Sequence, residues 1–266
     1  MTRLPIKAVI FDWAGTMIDF GCVAPVEAFQ AAFAAEGVTL AAESARRDMG
    51  LAKLDHVRAI LALPDVANAW IDAKGSASSE SDALRIYAAL EPLMAKAAAE
   101  HSELIPGAAS VFAQLKAAGV ATGSCTGYTR QMMAPILSRA AQQGYAPDAV
   151  ICAGETELGR PSPLMIWKML ADLRIWPVKS VVKVDDAVVG IEEGLNAGCW
   201  TVGVSASGNG VGLSHAAWRD LSSAERSERN EISARELRAA GAHLVIDTVA
   251  DLPAVLDQIA AGAAPA

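Results

Sequence analysis

The sequence predicts an α/β fold, a doubly wound and mostly parallel sheet into which an all-helical cap domain is inserted. Three observations support this prediction. Six short apolar segments alternate with helical patterns, which is typical of parallel strands joined by crossover helices. Several of these segments are continuously apolar, as strands covered on both faces are. Residues 23–100 contain helical patterns and no convincing strand.

The predicted elements follow in chain order. The first strand is 7–11, and the five later strands are 120–124, 149–152, 180–184, 200–204 and 243–246. Helical patterns cover residues 108–118, 129–143, 163–173, 188–197 and 249–260. We therefore expect residues 1–22 and 101–266 to form the core that contains the sheet, and residues 23–100 to form the cap. Such a cap can close a site at the strand ends and exclude water.

Composition narrows the function classes. The net charge of -8 argues against a nucleic-acid-binding protein. The apolar run before Asp12 is too short for a signal peptide, and the longest uncharged stretch, 195–218, contains the loop-like segment SASGNGVGLS. The four cysteines are scattered, as expected of reduced thiols. We therefore predict a cytoplasmic protein that binds neither nucleic acids nor membranes.

Polar residues lie at or just after the ends of four predicted strands. They are Asp12, then Ser124 and Thr126, then Arg160, and finally the pair Asp185 and Asp186. Doubly wound sheets bind ligands at this edge, and the set suits a phosphoryl group, with a carboxylate nucleophile, hydroxyl donors and a guanidinium. The remaining acids would hold Mg²⁺. Each residue alone has an ordinary explanation as a turn, cap or surface residue, and only their joint placement favours a site.

Five segments carry a family resemblance, namely FDWAGTMIDFGC, MGLAKLDHVRAIL, GSCTGYTRQMM, GRPSPLM and EEGLNAGCWTVGV. In order and separation they resemble the phosphonoacetaldehyde hydrolase (phosphonatase) family of the haloacid dehalogenase (HAD) superfamily, and the similarity covers nearly the whole chain. The resemblance implies a Rossmann-like HAD core with a helical cap and a homodimer formed through the cap. It also implies hydrolysis of the carbon–phosphorus bond of phosphonoacetaldehyde to acetaldehyde and phosphate.

The resemblance implies roles for individual residues. Asp12 would be the nucleophile that becomes an aspartyl phosphate, Lys53 would form a Schiff base with the substrate, and His56 would assist. Mg²⁺ would be held by Asp12, the carbonyl oxygen of Ala14, and Asp186. The substrate pocket would be formed by Thr126 and Arg160, which bind the phosphonate, and by Met49, Gly50, Cys22 and Tyr128.

The fourth motif departs from the family pattern at two positions. The family commonly has Gly-Asp followed four residues later by another Asp, whereas this chain has Asp185 at the Gly position and Gly190 at the later acidic position. The adjacent acids suggest that Asp185 restores the carboxylate that is missing at residue 190. We expect Asp186 to contact the metal directly and Asp185 to lie behind it, although the two roles stay open at this stage.

The implied chemistry requires a lysine that is neutral often enough to attack a carbonyl. A protonated imine allows the carbon to leave phosphorus as a neutral enamine. An exposed lysine is only about 0.04% neutral at pH 7, so burial or a nearby cation must lower its pKa. The pattern predicts a helix over 49–62, with one stripe at the edge of its apolar face that consists of Met49, Lys53, His56 and Ile60. Alternatively, Lys53 snorkels to water and His56 is a packed or surface histidine.

Two other kinds of function remain open. A capped HAD phosphomonoesterase would be expected to carry a general acid two residues after the nucleophile, where Ala14 stands, and a dehalogenase would need no Mg²⁺. A non-enzymatic sensor of phosphorylated ligands is suggested only by the altered fourth motif. The missing acid at residue 14 favours the carbon–phosphorus hydrolase, because an imine nitrogen can absorb the charge that a proton donor would otherwise neutralise.

Overall fold

The computed structural model describes residues 6–261 and confirms the predicted fold class. The strands are β1 Ala8–Phe11, β2 Ala121–Thr126, β3 Ala149–Cys152, β4 Val181–Asp185, β5 Trp200–Val204 and β6 Leu244–Ile246. They form one sheet in the order β3-β2-β1-β4-β5-β6, and every neighbouring pair is parallel. The order in which the chain fills the sheet reverses between β1 and β4, which is where doubly wound sheets bind ligands.

Strand register determines where the polar residues lie. Phe11, the last residue of β1, is aligned with Ser124 in β2 and with Val184 in β4. Asp12 and Asp185 follow these positions directly along the chain. Because parallel strands end at the same edge of a sheet, the first and fourth predicted motifs lie side by side there.

Seven helices lie in the described chain after residue 100. They are α6 Ala108–Ala117, α7 Arg130–Gln142, α8 Leu164–Leu173, α9 Val188–Ala197, α10 His215–Asp220, α11 Ser223–Ala239 and α12 Leu252–Ala260. The five helices that the sequence predicts here are confirmed, although the last begins as a short 3₁₀ turn, Val249–Asp251. Helix α11 was not predicted, because its sequence is strongly polar and has no apolar stripe. It begins with a capping box in which Ser222 and Glu225 satisfy each other's backbone N–H groups.

Residues 23–100 form the helical insertion. Its helices are α1 Val23–Ala35, α2 Ala42–Arg46, α3 Lys53–Leu61, α4 Pro64–Lys74 and α5 Glu80–Glu100. Among the described residues of this insertion none lies in a strand, as the sequence predicts. The prediction that it is a separate cap domain stays a prediction. Asp19 starts the insertion, because its carboxylate accepts hydrogen bonds from the Val23 and Ala24 N–H groups, each at 3.0 Å, at the beginning of α1.

The predicted helix 49–62 is too long at its start. Helix α3 begins at Lys53, and Met49 and Gly50 lie in a turn before it. Gly50 has a φ of 99°, a left-handed conformation that ends any helical continuation through this residue. The predicted stripe is nevertheless buried, since Met49, Lys53, His56 and Ile60 are each at most 7% exposed.

The hydrophobic core joins the sheet to the insertion. One contiguous cluster of buried side chains includes Phe11 from β1, Phe29 from α1 and Ile86 from α5. Each such side chain stabilises the fold by roughly 1.5–3 kcal/mol through its removal from water. This shared core fixes the insertion above the carboxyl edge of the sheet. Within residues 6–261, no helix combines the length and apolar character needed to cross a lipid bilayer.

Candidate active site

A pocket opens where the sheet edge meets the helical insertion. It is lined by Asp12, Ala14, Cys22, Met49, Gly50, Lys53, Thr126, Gly127, Tyr128, Arg160, Asp186 and Ala187. All the site residues predicted from the sequence line this pocket except His56 and Asp185, which lie behind its wall. The pocket also includes Gly127 and Ala187, which the sequence did not single out. The predicted residues therefore converge on one pocket.

Arg160 holds Asp12 in place. The Arg160 Nη1 lies 2.9 Å from Oδ1 of Asp12 in a buried ion pair. The other nitrogens of the guanidinium are engaged elsewhere, since Nη2 donates to the Cys125 carbonyl at 2.6 Å and Nε donates to Glu193 at 2.9 Å. The guanidinium is therefore fixed on three sides. Thr126, at the end of β2, faces the same pocket, and its hydroxyl accepts from the Tyr128 N–H at 3.2 Å.

Three buried carboxylates crowd together beside this ion pair. Oxygens of Asp12, Asp185 and Asp186 all lie within 4.8 Å of one another. Burial and repulsion by Asp185 raise the pKa of Asp12 to about 6, although Arg160 and Lys183 oppose the shift. Burial and repulsion by Asp12 and Asp185 raise the pKa of Asp186 to about 8. Such a set of hard oxygen ligands with uncompensated charge fits Mg²⁺, which would favour the ionised carboxylates.

Asp186 is held by hydrogen bonds from three segments. Its carboxylate accepts from the Asn209 N–H at 2.7 Å, from Cys22 Sγ at 3.2 Å and from Thr16 Oγ1 at 3.3 Å. A Cβ at Gly15 would lie 2.7 Å from the Asp186 Cγ, so the backbone beside Ala14 must be glycine to approach this acid. Burial, with the charge of Asp186 next, raises the pKa of Cys22 well above its usual value, so its thiol is a proton-bearing donor.

Asp185 differs from the two other acids. Its Oδ2 lies 2.9 Å from Lys183 Nζ and 3.4 Å from Arg160 Nη2, and its Oδ1 accepts from the Ala187 N–H at 3.0 Å. Burial would raise its pKa, but Lys183 and Arg160 outweigh burial and lower it. Asp185 is therefore a charged partner of two cations.

Lys53 enters the pocket from the helical insertion. It is 3% exposed, and its Nζ lies 4.9 Å from the centre of the Tyr128 ring and 5.6 Å from the centre of the Phe29 ring. It makes no ion pair with any residue in the described range. Burial lowers the pKa of Lys53 to about 8, with Arg160 adding to the shift and Asp12 opposing it. At that pKa roughly a tenth of the amine is neutral at pH 7.

His56 lies one turn after Lys53 and is fully buried. Its ring packs 4.4 Å from the Phe29 ring, centre to centre. Burial, and then the charge of Lys53, lowers the pKa of His56 well below its usual value. The Ala45 carbonyl opposes this shift, although its contact with the ring does not meet hydrogen-bond geometry. His56 is thus a neutral imidazole behind the lysine.

Two contacts join the insertion to the core beside the pocket. Arg46, at the end of α2, donates to the Gly21 carbonyl at 2.7 Å and to the Gly212 carbonyl at 3.0 Å. At the other contact, a Cβ at Gly127 would lie 2.7 Å from the Gly50 carbonyl oxygen and would overlap the Leu51 carbonyl. The backbones of the two regions therefore touch directly.

Sequence reasoning missed two charged residues behind the pocket. Lys183 and Glu193 are fully buried, and Lys183 Nζ lies 3.4 Å from the Glu193 carboxylate. A signal was present, because the lysine interrupts the otherwise apolar strand segment SVVKV. A buried lysine in a strand requires a partner, but the sequence does not say which acid supplies it.

Comparison with known proteins places the chain in a family. Residues 6–198 match the family model of haloacid dehalogenase-like hydrolases. The chain is 47% identical over 253 residues to a phosphonoacetaldehyde hydrolase of Paraburkholderia phytofirmans, covering 95% of each chain. It is 40% identical over 256 residues to a phosphonoacetaldehyde hydrolase of Bacillus thuringiensis, covering 96% of this chain and 97% of the relative.

A solved structure agrees with these relatives. The crystal structure of a phosphonoacetaldehyde hydrolase-like protein from Oleispira antarctica superimposes with a TM-score of 0.96 at 45% identity, covering 100% of this chain and 98% of that one. The similarity extends through the sheet and the helical insertion that carries Lys53. The chain is therefore a haloacid dehalogenase-like hydrolase and belongs to the phosphonoacetaldehyde hydrolase family.

Proposed function

We propose that this enzyme hydrolyses the carbon–phosphorus bond of phosphonoacetaldehyde, giving acetaldehyde and phosphate. The observation that carries the proposal is the position of Lys53. A buried lysine with a lowered pKa and no ion pair in the described range lines the same pocket as Asp12 and Arg160. The names of the relatives agree with this substrate.

The first step activates the substrate at its aldehyde. Lys53 loses a proton and attacks the carbonyl carbon as the neutral amine. The proton it gave up returns to the oxygen of the adduct, which leaves as water, and the product is an imine whose nitrogen carries a proton. His56 lies one turn away on the same helix and assists as a neutral imidazole, so no second cation is buried beside the amine. The aromatic rings of Tyr128 and Phe29 face the Lys53 nitrogen and favour its cationic iminium form.

The second step breaks the carbon–phosphorus bond. A carboxylate oxygen of Asp12 attacks phosphorus, and the electron pair of the breaking bond moves through carbon to the imine nitrogen, leaving a neutral enamine. Arg160 and Thr126 bind the phosphonate oxygens and orient phosphorus toward Asp12. One water then hydrolyses the aspartyl phosphate. Protonation of the enamine at carbon and hydrolysis of the imine by the second water release acetaldehyde and regenerate Lys53.

Mg²⁺ fits beside the nucleophile and would be held by Asp12, the Ala14 carbonyl oxygen and Asp186. When bound, it offsets the negative charge of the phosphonate and of the acid cluster. Chelation with EDTA should therefore abolish turnover, and added Mg²⁺ should restore it. Full activity in EDTA would contradict this metal site.

Borohydride trapping tests the proposal directly. Treatment with borohydride in the presence of phosphonoacetaldehyde should inactivate the enzyme and add the reduced adduct to the peptide that contains Lys53, as measured by peptide mass mapping. Lys53→Arg should not be labelled, because a guanidinium does not deprotonate. Labelling at another lysine, or none despite turnover, would contradict the Schiff-base mechanism.

Substrate comparison separates this function from an ester phosphatase. Ala14 occupies the position where a phosphomonoesterase would place its general acid, so sugar phosphates should be cleaved poorly. Efficient cleavage of sugar phosphates without cleavage of phosphonoacetaldehyde would overturn the proposal. We also propose that the enzyme is cytoplasmic and that it forms a homodimer through the helical insertion. Light scattering of the purified protein would test whether it is a dimer.

A further inference from the structure

Four charged side chains form a closed cluster behind the pocket. Lys183 and Asp185 come from β4, Glu193 comes from α9, and Arg160 comes from the loop after β3. Lys183 Nζ lies 2.9 Å from Asp185 and 3.4 Å from Glu193, and Arg160 lies 2.9 Å from Glu193 and 3.4 Å from Asp185. The two cations and two anions alternate, so each cation contacts both anions.

The cluster determines how the guanidinium is oriented. Glu193 engages Arg160 Nε, while Asp185 lies beside Nη2. Nη1 is left to face Asp12 at 2.9 Å. A planar guanidinium that is held along one edge presents its remaining nitrogen in a single direction. Loss of either anion would weaken the hold on that edge, leaving the other anion and the Cys125 carbonyl, and would leave Lys183 with excess positive charge in a buried site.

Gly190 is the reason that Asp185 fits. A Cβ at this position would overlap the Asp185 carboxyl group, including its carbon and both oxygens. Gly190 lies inside helix α9, where glycine is unfavourable because of its backbone entropy, and its φ is not left-handed. No turn requires glycine here. The space above residue 190 is instead filled by a carboxylate that comes from the neighbouring strand.

We propose that Asp185 and Gly190 act as one unit that supplies the carboxylate of this cluster, and that the cluster positions Arg160 against Asp12. Asp185 is on this view a positioning residue. The two residues exclude each other's side chains, so one carboxylate can occupy the space from either the strand or the helix, but not from both. The inference rests on the proposed function only for its kinetic readout.

A reciprocal exchange tests the unit. Asp185→Gly, Gly190→Asp and the double variant Asp185→Gly/Gly190→Asp are compared with the wild type by thermal unfolding and by phosphate release from phosphonoacetaldehyde with Mg²⁺. Relative to the wild type, Asp185→Gly should lower Tm and reduce kcat by about tenfold or more. Gly190→Asp alone should lower Tm by a larger amount, because its side chain overlaps that of Asp185. The double variant starts its side chain in the space that the Asp185 carboxyl group occupies, and it should recover most of both losses.

The double variant decides between outcomes. If its Tm is no higher than that expected from the sum of the two single changes, the shared-space inference is wrong. If Tm recovers while kcat does not, the cluster does not position Arg160. Thermal unfolding requires no substrate. If the wild type does not hydrolyse phosphonoacetaldehyde but the Tm of the double variant recovers as expected, the proposed function is contradicted and the shared-space inference is not.

A second pair of variants, with milder changes, tests the positioning role if the single variants above do not fold. Glu193→Gln keeps the shape of the side chain and its acceptor for Arg160 but removes the charge that Lys183 contacts. We expect kcat to fall by about tenfold when measured well below Tm, with KM changing less. Glu192→Gln, at the adjacent and partly exposed residue of α9, is the control and should leave kcat unchanged. A wild-type kcat in Glu193→Gln would overturn the positioning role.

Discussion

Lys53 and Lys183 are both buried lysines, yet the surroundings of the two ammonium groups have opposite effects. Lys183 contacts Asp185 and Glu193, and their charges outweigh burial and Arg160 to raise its pKa. Lys53 contacts two aromatic rings and has no ion-pair partner in the described range, and burial lowers its pKa to about 8. The difference teaches that burial lowers the pKa of a lysine only where no carboxylate lies close enough to outweigh it.

The two lysines also serve different regions. Lys183 belongs to the sheet and neutralises charge that would otherwise be costly to bury. Lys53 belongs to the insertion and is itself costly to bury as an ammonium. The comparison therefore predicts that one lysine stabilises the fold and that the other lowers stability while enabling catalysis.

The largest expected effect is on turnover. Lys53→Arg should reduce kcat by about 10⁴-fold or more, because arginine stays protonated and cannot attack a carbonyl. Phosphate release measures the effect. Lys74→Arg is the matched control, since Lys74 lies on the insertion surface in an ion pair with Glu36, and arginine can keep that pair. Substantial activity in Lys53→Arg would remove the catalytic distinction between the two buried lysines.

The next effect concerns stability, where the two lysines should move in opposite directions. Lys183→Met should lower the free energy of unfolding by about 3–5 kcal/mol, because it leaves the buried carboxylates of Asp185 and Glu193 to share Arg160 alone. Lys53→Met should raise it by about 1–3 kcal/mol at pH 7, because it removes a buried ammonium. Denaturant unfolding measures both. Gains in both variants would mean that burial, and not charge pairing, dominates at both positions.

A pH titration sharpens the contrast. The pKa of Lys53 is about 8 in the folded chain and near 10.5 when the side chain is exposed. Between those values the unfolded chain binds more protons, so the contribution of Lys53 makes stability rise with pH across this window. The stability advantage of Lys53→Met should therefore shrink between pH 8 and about 10.5. An advantage that stays constant would contradict the lowered pKa.

The smallest expected effect comes from the aromatic rings. Tyr128→Leu removes a ring that favours the ammonium form of Lys53, so the pKa of Lys53 should fall further, by about half to one unit. Tyr128→Phe keeps the ring and should leave that pKa nearly unchanged. The pH dependence of borohydride trapping reports both variants. An identical shift in the two would assign the effect to the hydroxyl group and not to the ring.

The sheet and the convergence of polar residues at its carboxyl edge were predictable from the sequence. Continuous apolar segments such as AVIF locate the strands, and parallel register then brings Asp12 and Asp185 to one edge. The start of α3 was not predictable, because the left-handed turn at Gly50 is compatible with a continuous helical pattern in the letters alone. A positive φ depends on the tertiary contacts that hold the turn.

The charge environment of the two lysines lay beyond the sequence for a different reason. Lys183 and Glu193 are ten residues apart on a strand and a helix, and only their packing reveals that they meet. Arg46 and Gly212 are joined by a hydrogen bond across 166 residues of chain. Local periodicity contains no information on such pairs. The sign of a pKa shift depends on such pairs. The sequence therefore predicts that a reactive lysine is required, but the direction of the pKa shift at Lys53 follows only from its three-dimensional surroundings.

The contact between Gly127 and the carbonyl oxygens of Gly50 and Leu51 limits how closely the helical insertion approaches the core. The two backbones pack directly against each other at this point, with no side chain between them. The helical insertion thus docks against a rigid surface only a few residues from Lys53. The distance that the Lys53 amine reaches into the pocket is consequently set by the length of its own side chain. A larger residue at position 127 would hold the helical insertion away from the core.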